Sequence, residues 1–338
     1  MFLHPEKGIF AENIEKMILT NITFPSKYLL MLQSLKEIGV KGIGTQRILA
    51  LTNSIASSKT TVDSMESLYA VIRQSREEAF RQVSFNHLQQ VADLADNLIA
   101  RSEQQQIGLI GLFDDRYPAE LRRTIRRDRT FSPPLLLWYK GNLTALSKPG
   151  LAVIGTRKAT AQALTDGEFL TKRFAEIGFN IISGLAIGSD TAAHRGALKA
   201  KGKTTAILGD GLDTPHIYPK ENQRLAEEIL ANGGLLLSEY PVGASVNRNY
   251  LVARDRLQSG LSKATLIIQP SERGGTKHAE RATRVARKPL YQLRDESAGI
   301  PSANTSANED LTLFGFDAPQ FIAKHDPLDE ICRDIMGM

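Results

Sequence analysis

Cysteine is almost absent from the chain: Cys332 is the one thiol in 338 residues. That count rules out an internal disulfide framework and any zinc site built from several cysteines. No apolar run approaches the roughly 20 residues that a membrane span needs. The opening stretch, MFLHPEKGIFAENIEK, carries charges within its first apolar segment and does not read as a secretory signal. Also missing are the phosphate-binding G-x-x-x-x-G-K-S/T, the zinc-binding H-E-x-x-H and the nucleophile elbow G-x-S-x-G. The dinucleotide fingerprint G-x-G-x-x-G is not found where the first strand turns into its helix. These absences leave the usual ATPase, zincin and esterase readings without support, and the expectation is a protein of a reducing compartment, most simply the bacterial cytoplasm, with no metal and no cofactor.

What is present is a regular alternation. Apolar runs at Leu151–Gly155, Phe179–Gly184, Thr204–Gly209, Gly234–Glu239, Ala264–Gln269 and Lys288–Leu293 are separated by segments of helical length such as Ala161–Ile177 and Lys220–Ala231. Strand and helix alternating in this way predict an α/β fold, Rossmann-like and doubly wound around a mostly parallel sheet. Such sheets bind ligands in the crevice beyond the carboxyl ends of their strands. Basic residues follow those ends: Arg157 and Lys158 after the first, Arg248, Arg254 and Arg256 after the fourth, Arg273 and Lys277 after the fifth. The crevice therefore expects an anion carrying several phosphates. A hydrophobic content of 42% supports a full core. The formal charge of +5 agrees with a nucleic-acid partner without requiring one.

Residues 1–105 read as a helical domain, with apolar positions at three- and four-residue spacing through Tyr28–Leu35, Ile48–Leu51, Met65–Ile72 and Phe85–Ile99. Asn53–Ser64, rich in Ser, Thr and Asn, reads as a loop. Around Gly42 and Gly44 a hydrophobic helix, a glycine turn and a new helix resemble a helix-hairpin-helix, which would offer backbone N–H groups to a DNA phosphate. The alternative is a tight connection without a ligand. Residues 106–293 form the sheet domain, with 106–150 as its lead-in. That lead-in holds Arg122, Arg123, Arg126, Arg127 and Arg129, either a phosphate-tracking patch or a solvated face. Residues 294–338 read as a loop-rich extension with a helix expected at Leu328–Ile335.

In the first turn, Gly155-Thr156-Arg157-Lys158-Ala159-Thr160 combines a glycine, a helix N-terminus and a guanidinium, which together favour phosphate binding. Gly184 and Gly188 in the second turn allow a close backbone approach, and Ser189 or Asp190 can cap the helix that follows. His194 reads as a structural hydrogen-bond partner. Asp210 and Asp213 are either acids or ribose ligands, or simply close turns. Tyr218, Tyr240 and Tyr250 either stack on bases or pack in the core.

Several ordered motifs between Phe113 and Leu293 carry a resemblance. They include Tyr117-Pro118, Lys140-Gly141-Asn142, Gly155–Thr160, Ser183–Asp190 with Ala193-His194, and Leu208–Asp213. Further along stand Tyr218-Pro219 with Glu221-Asn222, Leu237–Pro241, Arg254-Asp255-Arg256 with Gly260-Leu261-Ser262, and Gly274-Gly275-Thr276 with Ala279. In these the chain resembles the DprA (Smf) family of bacterial DNA-processing proteins, as a divergent paralogue. The helical start is similar to the SAM-like domain that often precedes the family's sheet. The resemblance implies a cytoplasmic homodimer that binds single-stranded DNA and hands it to a RecA-type recombinase in natural transformation, without catalysis. It further implies that Arg157 and Lys158 hold phosphates, that Gly155 and Gly184 admit the backbone, and that Arg254, Arg256 and Gly274, Gly275 and Thr276 line the strand's path.

The chain departs from the family pattern in several places. Thr156 replaces Ser, Leu251-Val252 replaces Phe-Pro, Asp255 replaces Asn, Gln269 stands where Glu is frequent, and no winged helix is recognisable. Two other readings keep the fold. In one the protein is a regulatory component of a phage-defence or toxin–antitoxin module, with a cognate toxin or defence protein as partner. In the other it is a nucleotide-binding or phosphoribohydrolase-like enzyme, because Gly274-Gly275-Thr276-Lys277-His278-Ala279-Glu280 resembles that class's signature with Glu280 one residue out of place.

Overall fold

A computed structural model describes residues 24–58, 60–127, 131–270, 275–294 and 319–337; the side chains of Ala56, Ser57, Arg126 and Arg127 are outside that description. The chain divides into two compact units, Met1–Trp138 and Tyr139–Met338, so the expected lead-in 106–150 is shared between them.

The first unit is largely helical. It contains α1 (Ser26–Ser34), α2 (Thr45–Ser58), α3 (Met65–Gln74), α4 (Glu78–Arg81), α5 (Phe85–Glu103), strand β1 (Ile107–Gly111) and α6 (Ala119–Arg127). Capping boxes at Ser64 with Ser67 and at Ser84 with His87 start α3 and α5, each satisfying two otherwise unpaired N–H groups. The expected loop at Asn53–Ser64 begins later than its composition suggested, because α2 runs on to Ser58. Leu51 and Ile55 are buried one helical turn apart, while Thr52 and Ser58 bond back to carbonyls of the preceding turn. Those bonds remove the competition with the backbone that usually pushes Ser and Thr out of helices.

Strand β2 (Leu136–Gly141) carries the chain across the boundary. The second unit then alternates β3 (Gly150–Ile154), α7 (Ala161–Ile177), β4 (Asn180–Ser183), α8 (Ser189–Lys199), β5 (Thr204–Leu208), α9 (Gln223–Ala231), β6 (Leu235–Ser238), α10 (Arg248–Gly260), β7 (Ala264–Ile267), α11 (Gly275–Val285) and β8 (Leu290–Leu293). The strands pair in the order β6-β5-β4-β3-β7-β8, and each pairing is parallel. Strands β3 to β7 are buried along their whole length, as a sheet covered on both faces requires.

Chain order runs outward from β3 to β6 and then returns to β7 beside β3. The switch point between β3 and β7 is where loops diverge and a crevice opens. Past the last of the six expected strands, β9 (Gln320–Ile322) adds to β8, and α12 (Leu328–Met336) packs Leu328 and Ile335 into the same apolar cluster as Leu151, Phe174 and Leu266. Part of the stretch expected to be loop-rich is therefore sheet and core. Three residues of strand are too few to show a period, which hid β9 in the sequence.

Candidate nucleic-acid interface

A cavity of about 770 Å³ opens at the switch point. Its walls come from the turn after β3 (Ile154 to Lys158), the start of α8, the α10 face and the start of α11. The first turn is held in shape by backbone and amide bonds. Thr156 N–H donates to the Gln269 carbonyl at 2.9 Å and Thr160 N–H donates to Gln269 Oε1 at 2.8 Å. Thr160 in turn caps α7 by accepting from Ala163 N–H. With the turn pinned on both sides, Arg157 and Lys158 project from it, exposed. Arg248 stands exposed on the first turn of α10 and lines the same cavity. These three cations form no close ion pair with any described residue, although Arg157 also attracts the buried carboxyls of Asp190 and Asp255.

The other expected cations are placed differently. Arg254 is only 5% exposed; its Nη1 donates to the Ile207 carbonyl at 2.9 Å, while Asp255 lies 3.2 Å from Nε and Asp190 3.8 Å from Nη2. A Cβ on Gly184 would collide with this guanidinium, so the space above Gly184 is filled by Arg254. Gly188, at φ +81°, lies against the backbone of Thr156 and Arg157, and Gly155 lies against Ser189. Arg256 grips the Glu239 carboxylate with two bonds of 2.6 and 2.7 Å. Lys277 is exposed, Thr276 is buried against the cavity, and Gly275 opens α11. Arg273 and Gly274 lie outside the described residues, as does Arg129.

Of the three tyrosines, Tyr218 is exposed at the cavity wall. Tyr240 and Tyr250 stack on each other at 3.7 Å and 18°, and neither lines the cavity. His194 is buried with Nδ1 bonded to Thr204 Oγ1 at 2.7 Å, and burial beside Arg254 pushes the imidazole down to about 3, so it is neutral. Asp210 accepts from Tyr218 N–H and Asp213 from Gly243 N–H, both closing turns. Glu280 pairs with Arg284 at 2.8 Å and does not line the cavity.

Burial raises both floor carboxyls. Asp255 is pushed up to about 7 against the pull of Arg254, and Asp190 rises for the same reason. Sequence reasoning missed Gln258 and His278 as lining residues. Gln258 falls three residues after Asp255 on α10, a spacing that places the two on one helix face.

In the first unit the glycine turn expected at Gly42 and Gly44 is present. Gly42 has φ +82°, its carbonyl accepts from the Arg47 guanidinium, and Arg47 also pairs with Glu77. The Gly44 carbonyl accepts the first bonds of α2. Among the described arginines of the 122–129 cluster, Arg123 pairs with Glu120, and Arg122 donates to the Asp114 carbonyl and lies over the Tyr117 ring. Among the described residues no helix is long and apolar enough to cross a membrane, and no group of three metal-ligating side chains gathers.

A family model described as DNA recombination-mediator protein A matches residues 108–309. The chain belongs to the DprA/Smf family. A Smf protein of Synechocystis is 40% identical over 148 residues, 43% of this chain and 36% of that protein. DprA of Bacillus subtilis is 33% identical over 192 residues, 56% of this chain and 62% of its own length. The matched region thus spans less than two thirds of these curated relatives. Among solved structures, DprA of Streptococcus pneumoniae superposes with a TM-score of 0.66 at 25% identity, covering 89% of this chain and 95% of that one. DprA of Helicobacter pylori, whose structure is described for its single-stranded DNA binding mode, gives 0.53 at 27% identity, covering 69% and 95%.

Proposed function

We propose that this DprA/Smf protein binds single-stranded DNA by its phosphates at the rim of the switch-point crevice. The observation that carries the reading is the group of three exposed, unpaired cations, Arg157, Lys158 and Arg248, around one 770 Å³ cavity. Exposed guanidinium and ammonium groups beside helix N-termini suit consecutive phosphates. Tyr218 supplies a ring on which a base can stack. The work of the protein is binding and delivery of the strand to a RecA-type recombinase, not turnover. In this reading the protein acts as a homodimer, which light scattering after size-exclusion chromatography would measure.

The test is fluorescence anisotropy with a labelled strand of about 30 nucleotides at several salt concentrations. Arg157→Ala should weaken binding by about 1.5–3 kcal/mol, roughly 10- to 150-fold. The slope of log affinity against log salt should fall by about 0.7 for the one lost phosphate contact. Unchanged affinity and slope would remove the crevice from the binding surface. Recombinase delivery is checked separately, by whether the protein speeds RecA filament formation on strands already coated with single-strand-binding protein.

A further inference from the structure

The exposed cations of the sheet unit do not stop at the crevice. Thr276, His278 and Ala279 line the cavity, so α11 starts at its mouth and leads away from it. The far end of the helix lies near the start of β7, where Lys288 holds the carbonyls of Ser259, Gly260 and Ser262. Lys277, Arg281 and Arg284 stand four and three residues apart, on one face of α11. Arg287 follows just past the helix end at φ +51°, its N–H still donating to the Arg284 carbonyl. Arg284 is buried and paired with Glu280 at 2.8 Å. Lys277, Arg281 and Arg287 are exposed, and among the described residues none of them has an ion-pair partner.

The alternative is a solvated helix face, and such faces mix signs. Helix α7 pairs Lys172 with Glu176, and α9 pairs Arg224 with Glu228. On α11 the one acid, Glu280, is taken up by the buried Arg284, so the exposed charge is all positive. Like charges a helical turn apart repel, and a polyanion lying along the face relieves that repulsion. The helix has 11 residues and is about 16 Å long, so an extended anion would meet its cations in succession. It carries no Phe, Tyr or Trp, so it offers bases nothing to stack on.

We propose that the outer face of α11, outside the crevice, is a second phosphate track that holds the part of a single strand running on from it. The inference rests on the single-strand reading above and extends the footprint along Lys277, Arg281 and Arg287. It predicts a contact to the backbone that is indifferent to sequence and engages only strands long enough to leave the crevice.

Oligodeoxythymidines of about 6 and about 20 nucleotides, below and beyond what one compact binding module covers, separate the two surfaces. Their affinities would be measured by anisotropy at several salt concentrations. The double variant Arg281→Gln, Arg287→Gln should weaken the longer strand roughly 10- to 25-fold at about 0.1 M salt. Its salt slope should fall by about 1.4, two contacts at about 0.7 each, while the shorter strand binds as before. Arg281→Gln alone should lower the slope by about 0.7, and it decides the matter if the double variant does not fold. Arg157→Ala should instead weaken both lengths. Equal losses on the two lengths, or an unchanged affinity for the longer one, would overturn the track while Arg157→Ala still reports on the crevice. Polyglutamate binding that the double variant abolishes, with strand affinity unchanged, would assign the face to an acidic peptide and overturn it too. Binding of neither length by the wild type would remove the single-strand reading and the track with it.

Discussion

Arg157 and Arg254 show how two identical side chains separate by environment. Arg157 is exposed and makes no close ion pair, so its loss should weaken binding and move the unfolding midpoint far less than loss of Arg254. Arg254 is buried between Asp190 and Asp255, so Arg254→Ala strands two carboxylates without their counter-charge. Urea unfolding should show a loss of about 3–5 kcal/mol. Gly184→Ala forces a methyl group into the same guanidinium and should cost about 1–3 kcal/mol by the same measurement.

Asp255 also predicts a pH dependence. Its carboxyl is raised from 3.8 to about 7 in the folded protein, so between those values the native state holds more protons than the unfolded one. Stability from this group therefore falls as pH rises from about 4 to about 7 and levels off above. Asp255→Asn removes the effect, so its stability relative to wild type should climb through that window. The comparison also cancels His194, whose lowered value near 3 contributes in the opposite direction. A constant difference between the two proteins from pH 5 to pH 8 would contradict the assignment.

At the scale of elements, α10 positions most of the crevice. Arg248, Leu251, Val252, Asp255 and Gln258 recur at three- and four-residue spacing and line the cavity together. Both ends of this helix are tied down. Asn247 accepts from Tyr250 N–H at 2.9 Å, and buried Lys288 donates to the carbonyls of Ser259, Gly260 and Ser262 at the other end. Asn247→Ala should cost about 1 kcal/mol. Lys288→Met should cost about 1.5–3 kcal/mol, because it strips charge-assisted bonds from buried carbonyls. Thermal unfolding of both variants checks this ranking. None of it was visible in the sequence, where Lys288 reads only as the start of a strand.

At the scale of the whole molecule, the C-terminal residues complete the sheet unit. Strand β9 covers the edge of β8, and Ile322, Leu328 and Ile335 join the main apolar cluster. Arg173 reaches across to the carbonyls of Lys324 and Asp326, and Lys324 pairs with Asp166. A chain ending at Arg294 should show a lower unfolding midpoint and a smaller soluble fraction, since it bares a sheet edge and apolar surface. The six strands β3 to β8 were legible because continuous apolar runs of five or six residues, punctuated by glycine, can be buried on both faces only in a parallel sheet. Helix α2 was legible to its midpoint, after which Ser and Thr masked a continuing apolar stripe.

The sequence by itself determined the alternation of β3 to β8 with their helices, the family, and the gathering of the Gly155–Thr160 and Ser183–Asp190 turns at one end of a sheet. Those follow from local pattern and from the rule that parallel strands align their carboxyl ends. Only the tertiary structure decided which charges face a ligand. Besides its chain neighbour Asp255, Arg254 faces Asp190 and is bonded to the Ile207 carbonyl, residues far from it in the chain, and Arg256 is paired with Glu239. Whether a guanidinium is free or spent depends on the counter-charges that folding brings to it, and that proximity is a property of the packed sheet.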